Sequence, residues 1–293
     1  MKNFFRKIFR IIFAPFRWLK KLFNKTPLGQ LLGPDPEDTP ITETISKAVD
    51  SPRSFWEGLI VHLVDLRKAV FKSVASALIF SVVAFVFIED IMAWLAIPLG
   101  GNGVTDLKAI EVTEAVGTVM RIAFMTGLAV SLPYIFFQIL AFVGPGITRK
   151  ARLTGLLGLP FVLVFFVGGA YFAYSLMLGP ALEVLTNFMG IQAELRPQSY
   201  FKFVTGLMFW IGFCFEFPLI AFFLSSMGIL KPETLVKQWR LALILLTILA
   251  AMITPTVDPW NMIIVLVPLW ALYGLSILMA FVARGRKTTE TED

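Results

Sequence analysis

The sequence holds one cysteine, Cys214, and one histidine, His62, in 293 residues. A single thiol builds no disulfide framework, and the Cys/His ligand sets of zinc sites go with it. Cys214 lies inside an apolar run whereas His62 precedes the first such run, so they do not form a nucleophile–base pair. Neither the HExxH nor the GxxxxGKS/T pattern occurs, which removes two common metal and phosphate signatures. Charge is also scarce: 16% of residues are Asp, Glu, Lys or Arg, against about 25% in soluble domains. These absences point away from catalysis, cofactors and nucleic acid, and toward binding or transport.

Apolar side chains fill the space that charge leaves. Hydrophobic residues make up 57% of the chain, and mean hydropathy is +0.77. Apolar runs near the ~20 residues that cross a bilayer recur. The pattern predicts an all-α polytopic membrane protein with six transmembrane helices. These cover about Val70–Ile88, Thr113–Phe142, Leu153–Leu178, Tyr200–Leu224, Leu241–Ile253 and Met262–Val282. Pro133 reads as an interruption of the second segment, and Pro160 and Pro218 also fall inside spans, where neighbouring helices can satisfy the carbonyls that proline frees. Helices five and six read as short and are joined by a tight TPTVDP turn containing Asp258. The thirteen uncharged residues Leu241–Ile253 cover only about 20 Å, so either a re-entrant hairpin or two crossings through a thinned bilayer fits. The cations after the sixth segment favour crossing.

Cations also set the orientation. Arg149, Lys150 and Arg152 follow segment two, Lys231, Lys237 and Arg240 follow four, and Arg284, Arg286 and Lys287 follow six. The alternate loops offer only Lys108 and Arg196. The positive-inside rule then puts both termini in the cytoplasm. Residues 1–25 carry eight Lys or Arg and no acid, with Phe5, Ile8, Phe9, Ile12, Phe16, Leu19 and Phe23 at helical spacing. This reads as an amphipathic basic helix lying on anionic lipid, the alternative being a disordered basic tail. A Pro-rich acidic and polar linker follows over 26–54, then the membrane domain over 55–282 and a cytoplasmic tail over 283–293.

The few charges inside the apolar runs are the candidate functional residues. Glu216, in FCFEFPLIAFF, is a carboxylate deep in the fourth segment, and Pro218 beside it opens a polar notch. A structural hydrogen bond between helices is the plainer reading. Glu114 and Arg121 lie two turns apart on one face of segment two, a charge network at the membrane rim. Gln138 near the inner end can bond across helices. On the cytoplasmic side Glu57 and Asp65 share a helix face. They could hold a basic peptide by paired charges, or form ordinary internal ion pairs.

At these residues the sequence resembles the TatC family, the multi-spanning receptor subunit of the twin-arginine protein translocase. HLVDLRK is similar to the family's HLxELRxR motif, and EVTEAVGTVMRIAFMTGLAVSLPYIFFQILAFVGPGI to its second-helix stretch. GFCFEFPLIAFFLSSMGIL and KQWRLALILLTILAAMITPTVDPWNMIIVLVPLWALY resemble the fourth-helix and closing motifs, so the likeness covers about 55–282. It implies signal-peptide binding by Asp65, with Leu63, Leu66 and Arg67 shaping the surface and Phe142, Pro145 and Gly146 in the first cytoplasmic loop. It implies that Glu216 lies where single-span TatA or TatB partners dock. Pro98, Glu114 and Arg121 match positions of the outer loop and second helix. The expected machine is non-enzymatic, a homo- or hetero-oligomer in a prokaryotic cytoplasmic membrane, driven by the protonmotive force.

Three positions depart from the family. Its first-motif Glu is Asp65, Ala151 stands where an acid usually follows the PGL turn, and the closing Tyr-Glu is Tyr273-Gly274. Glu57 is a candidate to replace the missing loop acid. Two other readings stay open: a divergent paralogue that scaffolds partners or atypical cargo without twin-arginine recognition, and an ion-coupled small-molecule transporter using Glu216. No internal repeat of the transporter kind is visible.

Overall fold

Proline marks where the helices begin. Pro52, Pro197, Pro232 and Pro259 each occupy the first helical position, where the missing N–H is not needed. The computed structural model describes residues 52–100, 104, 107–186, 196–254 and 259–288. The N-terminal basic segment, most of the linker and Asp258 lie outside the described residues.

The described chain is helical. In order come α1 (Pro52–Val86), α2 (Ile88–Ala96), a 3-10 turn (Ile97–Leu99) that contains Pro98, and α3 (Val112–Val143). A second 3-10 turn (Gly144–Gly146) leads to α4 (Arg149–Phe172), a π-helical stretch (Ala173–Met177) and α5 (Leu178–Thr186). Then follow α6 (Pro197–Cys214), α7 (Phe217–Ser226), α8 (Pro232–Lys237), α9 (Trp239–Ile253) and α10 (Pro259–Thr288). Among the described residues five segments are long and apolar enough to cross a membrane: Ile60–Val86, Thr113–Gly146, Arg149–Glu183, Pro197–Ser226 and Met262–Arg284. The sixth expected span is α9, a shorter apolar helix of 15 residues and about 22 Å.

Three expectations are refined. Segment six is not short, since α10 runs 30 residues and its helix extends into the expected tail. Pro133 does not interrupt segment two, because α3 passes through it unbroken. The fourth segment does break, at Phe215–Glu216, and Pro218 sits in the first turn of the helix that restarts there.

The chain forms two units. Among the described residues one holds 52–72 and Phe137–Leu157, and the other holds Ser73–Phe136 and 158–288. The core of the second gathers Ile122, Met177, Leu178, Tyr200, Phe201, Val204, Ile211 and Leu269, all nearly inaccessible. Its helices approach closely at small residues: a Cβ on Gly127 would stand 2.3 Å from the Ser81 nitrogen, and one on Gly212 3.0 Å from the Phe166 carbonyl oxygen. Such contacts suit a bilayer, where helix association rests on close packing rather than on expulsion of water. Two tyrosine hydroxyls finish the end of α2: Tyr174 donates to the Trp94 carbonyl at 2.8 Å and Tyr200 to that of Leu95 at 2.7 Å. The Trp94 carbonyl also accepts from the Ile97 N–H, so the Tyr174 hydroxyl adds a second bond there. Tyr174 belongs to the π-helical stretch, and its ring stacks on Trp94 with centroids 4.3 Å apart.

Candidate functional site

In the first unit, α1 carries the HLVDLRK motif on an exposed surface. Leu63, Asp65, Leu66 and Arg67 are all exposed, and the Asp65 carboxylate accepts a 3.0 Å hydrogen bond from Lys68 one turn on. An exposed pair of this kind holds weakly, so Asp65 remains open to exchange for a guanidinium. His62 stacks its ring on Phe142 at 4.2 Å between centroids. That contact joins the α1 motif to the end of α3, where the 3-10 turn presents Pro145 and Gly146 to the outside. The structure thus gathers Leu63, Asp65, Leu66, Arg67, Phe142, Pro145 and Gly146 in one unit. Sequence reading did not single out His62 for this contact; its aromatic character within the motif was the available signal. The Glu57 side chain lies outside the described residues. Gln138 and Ala151 are buried, in the same unit.

The second unit holds Glu216. It occupies the break between α6 and α7, where it is the residue before the first turn of α7. It is 0% exposed. Neither carboxylate oxygen has a hydrogen-bond partner among the described residues; the Phe166 backbone faces it without completing one. Aromatic rings crowd the helices around it: Phe215 packs against Gly169, and Phe166 and Phe209 meet edge to face. A mid-membrane carboxyl group with unmet hydrogen-bonding capacity is costly in an apolar setting, and such groups mark functional positions.

At the other end of α6 the same residue type is treated differently. The Glu114 side chain is fully buried, yet accepts from the backbone N–H groups of Ile110 and Gln198 and from the Arg196 guanidinium, all at 3.2 Å. Gln198 is in the first turn of α6, which has no side-chain cap of its own, so Glu114 caps that helix from a distant part of the chain. At this rim Arg196 meets Glu114, while Arg121, expected on the same face as Glu114, donates instead to the Thr205 hydroxyl at 3.4 Å. Spacing placed Glu114 and Arg121 on one face, and that face meets α6. Lys202 points out, exposed.

Residues 61–268 match the family described as Sec-independent protein translocase protein (TatC). The chain belongs to the TatC family. A TatC of Deinococcus radiodurans is 33% identical over 86% of this chain and 93% of its own length. TatCd of Bacillus subtilis is 32% identical over 80% of this chain and 96% of its own. The crystal structure titled twin arginine translocase receptor TatC superposes with a TM-score of 0.65 at 26% identity. That match covers 76% of this chain and 99% of the crystallised one. The protein is therefore a TatC-family subunit of a Sec-independent protein translocase, a multi-pass membrane protein of the Tat transport system. Among the described residues no His/Cys/Asp/Glu group is placed to hold a metal ion.

Proposed function

We propose that this protein receives the signal peptides of folded precursors at its cytoplasmic face and recruits single-span TatA/TatB-type partners within the membrane. Orientation rests on the cation-rich loops, which put both termini in the cytoplasm. Asp65 would pair with a twin-arginine guanidinium, the exposed Leu63 and Leu66 would take neighbouring apolar side chains, and Arg67, Phe142, Pro145 and Gly146 would shape the surrounding surface. Glu57 would add a second acid. The protonmotive force would supply the drive, and no bound nucleotide is required. Residues 1–25 would anchor to anionic lipid beside this face.

The observation that carries the reading is the unsatisfied carboxyl group of Glu216 at a helix break. A polar side chain on a partner helix would supply the hydrogen bond that this chain does not, with Pro218 holding the break open. Gln138, in the other unit, would offer a separate polar position. Docking requires the partner to displace apolar cover, because Glu216 is closed off in the isolated chain.

The test is site-specific crosslinking of a twin-arginine precursor to the protein in membranes. Asp65→Ala is expected to cut the crosslink about tenfold, the value of a charge-assisted hydrogen bond. An undiminished crosslink removes Asp65 from the site. A second reading, a paralogue that serves partners or atypical cargo without twin-arginine recognition, is favoured by one observation. The position where the family usually has a loop acid holds Ala151, only 3% exposed. Retained partner binding with no precursor crosslink in the native protein would select it.

A further inference from the structure

The chain turns sharply after α7. Gly228 takes φ of 81°, open to glycine at little cost, and the turn closes with Gly228 donating to the Ser225 carbonyl and Ile229 to that of Leu224, both at 3.0 Å. The following residues, through the short α8 to the first turn of α9, form an elbow. α10 fastens the elbow and the end of α7 before it: Tyr273 donates to the Leu235 carbonyl at 2.6 Å and Glu233 pairs with Arg284, while Ser225 of α7 donates to the Ala280 carbonyl at 2.8 Å. The outer side of this elbow is unusual in its mixture. Ile229, Val236 and Trp239 are 64%, 47% and 52% exposed, and Lys231, Lys237 and Arg240 stand exposed among them. None of the three cations makes an ion pair with a described residue; Arg240 instead lies 5.5 Å over the Trp239 ring. Glu233 is the only acid of the elbow; Arg284 forms its ion pair, and the Lys231 charge also acts on it from beyond ion-pair distance, so three cations outnumber one already paired acid.

We propose that this elbow is a docking surface for the headgroups of anionic phospholipids. Lys231, Lys237 and Arg240 would take the lipid phosphates, and Ile229, Val236 and Trp239 would lie among the glycerol and upper acyl chains. Charge complementarity carries the choice of occupant: three unpaired cations beside exposed apolar and aromatic groups match a negatively charged surface that is apolar just below. Geometry adds a reason for it to sit here. The elbow opens α9, about 22 Å long against a ~30 Å hydrocarbon core, so headgroups must come down to meet its end. A lipid-binding elbow fixed to α10 would hold the bilayer to that short helix. The inference does not depend on signal-peptide recognition.

Native mass spectrometry of the full chain in detergent holding equal phosphatidylglycerol and phosphatidylcholine tests it. Lys2, Arg6, Lys7, Arg10, Arg17, Lys20, Lys21 and Lys25 are changed to Gln throughout, so that the N-terminal cations do not mask the result. In that background the protein is expected to retain phosphatidylglycerol over phosphatidylcholine. Lys231→Gln/Lys237→Gln/Arg240→Gln should lower that preference on the order of tenfold, since each cation near an anionic surface contributes measurably. Lys231→Arg/Lys237→Arg should keep it, which separates charge from folding. An unchanged preference in the triple Gln variant overturns the proposal. So does displacement of the lipid by excess inorganic phosphate, which would make the elbow a simple anion site. Unaltered lipid with loss of a co-purifying acidic protein also overturns it, and assigns the surface to that partner.

Discussion

Glu114 and Glu216 are both glutamates closed off from solvent, at opposite ends of α6, and the protein treats them in opposite ways. Glu114 receives three hydrogen bonds and holds two helix ends and a loop together. Glu216 receives none from the described residues. Burial alone therefore does not say what an intramembrane acid does; its hydrogen bonds do. A carboxylate whose partners are all within the chain is part of the frame. One whose partners are missing has capacity left for another molecule.

The comparison breaks first at Glu114. Glu114→Ala removes the cap of α6 and leaves the half-buried Arg196 with only its longer 3.9 Å contact to Glu111, and it is expected to lower the unfolding midpoint by roughly 5 °C or more. Differential scanning fluorimetry of the detergent-solubilised protein measures this. A midpoint equal to that of the native chain would show that the capping contact contributes nothing.

A second prediction probes the helix contacts that hold this frame. Gly127→Val places branched carbon against the Ser81 backbone, where a single Cβ already stands 2.3 Å away. The two helices must part, at a cost of about 2 kcal/mol. Gly117→Ala on the same helix meets nothing within 4 Å and should be silent. Equal effects of the two in a denaturant titration would contradict the packing described here.

The smallest effect is expected at the exposed pair Glu233–Arg284. The Glu233 carboxyl is held below its ordinary value of 4.5 first by its own backbone N–H and then by the Arg284 charge. Because the folded value is depressed, its contribution is complete above the unfolded value and fades as pH falls below about 4.5. Arg284→Gln should change the midpoint by no more than about a degree at neutral pH, and by nothing in acid or high salt. A large effect at low pH would reverse the sign of this linkage.

Much of the frame was legible because a bilayer imposes a simple code. Apolar runs near 20 residues gave the long spans, and the short α9 could be read from the 13 uncharged residues Leu241–Ile253. Boundaries that depend on packing were not legible. Nothing local in the sequence says that α3 continues through Pro133 while the fourth segment breaks ahead of Pro218, because neighbouring helices decide which freed carbonyl is tolerated. The sixth helix was expected to be short like its partner across the tight turn, yet its apolar stretch Met262–Val282 already covers about 31 Å, and backbone hydrogen bonding runs on through Arg284 to Thr288. At the site, composition pointed to Glu216 because an acid amid phenylalanines stands out. It could not pair Glu114 with Arg196, which lies 82 residues away. The stacking of His62 on Phe142 was hidden for the same reason: both belong to recognisable motifs, but only the fold brings their rings together.

The difference between the two glutamates is tested most directly by one paired measurement. Glu216→Gln and Glu114→Gln are each scored for thermal midpoint and for co-purification of single-span Tat partners from membranes. Glu216→Gln is predicted to keep the native midpoint while co-purification falls about tenfold, the value of a hydrogen bond or two between helices in a bilayer. Glu114→Gln is predicted to lower the midpoint, and to reduce partner binding only as far as the folded fraction falls. A Glu216→Gln protein that loses stability yet keeps its partners would contradict the account, and would make Glu216 a second structural acid.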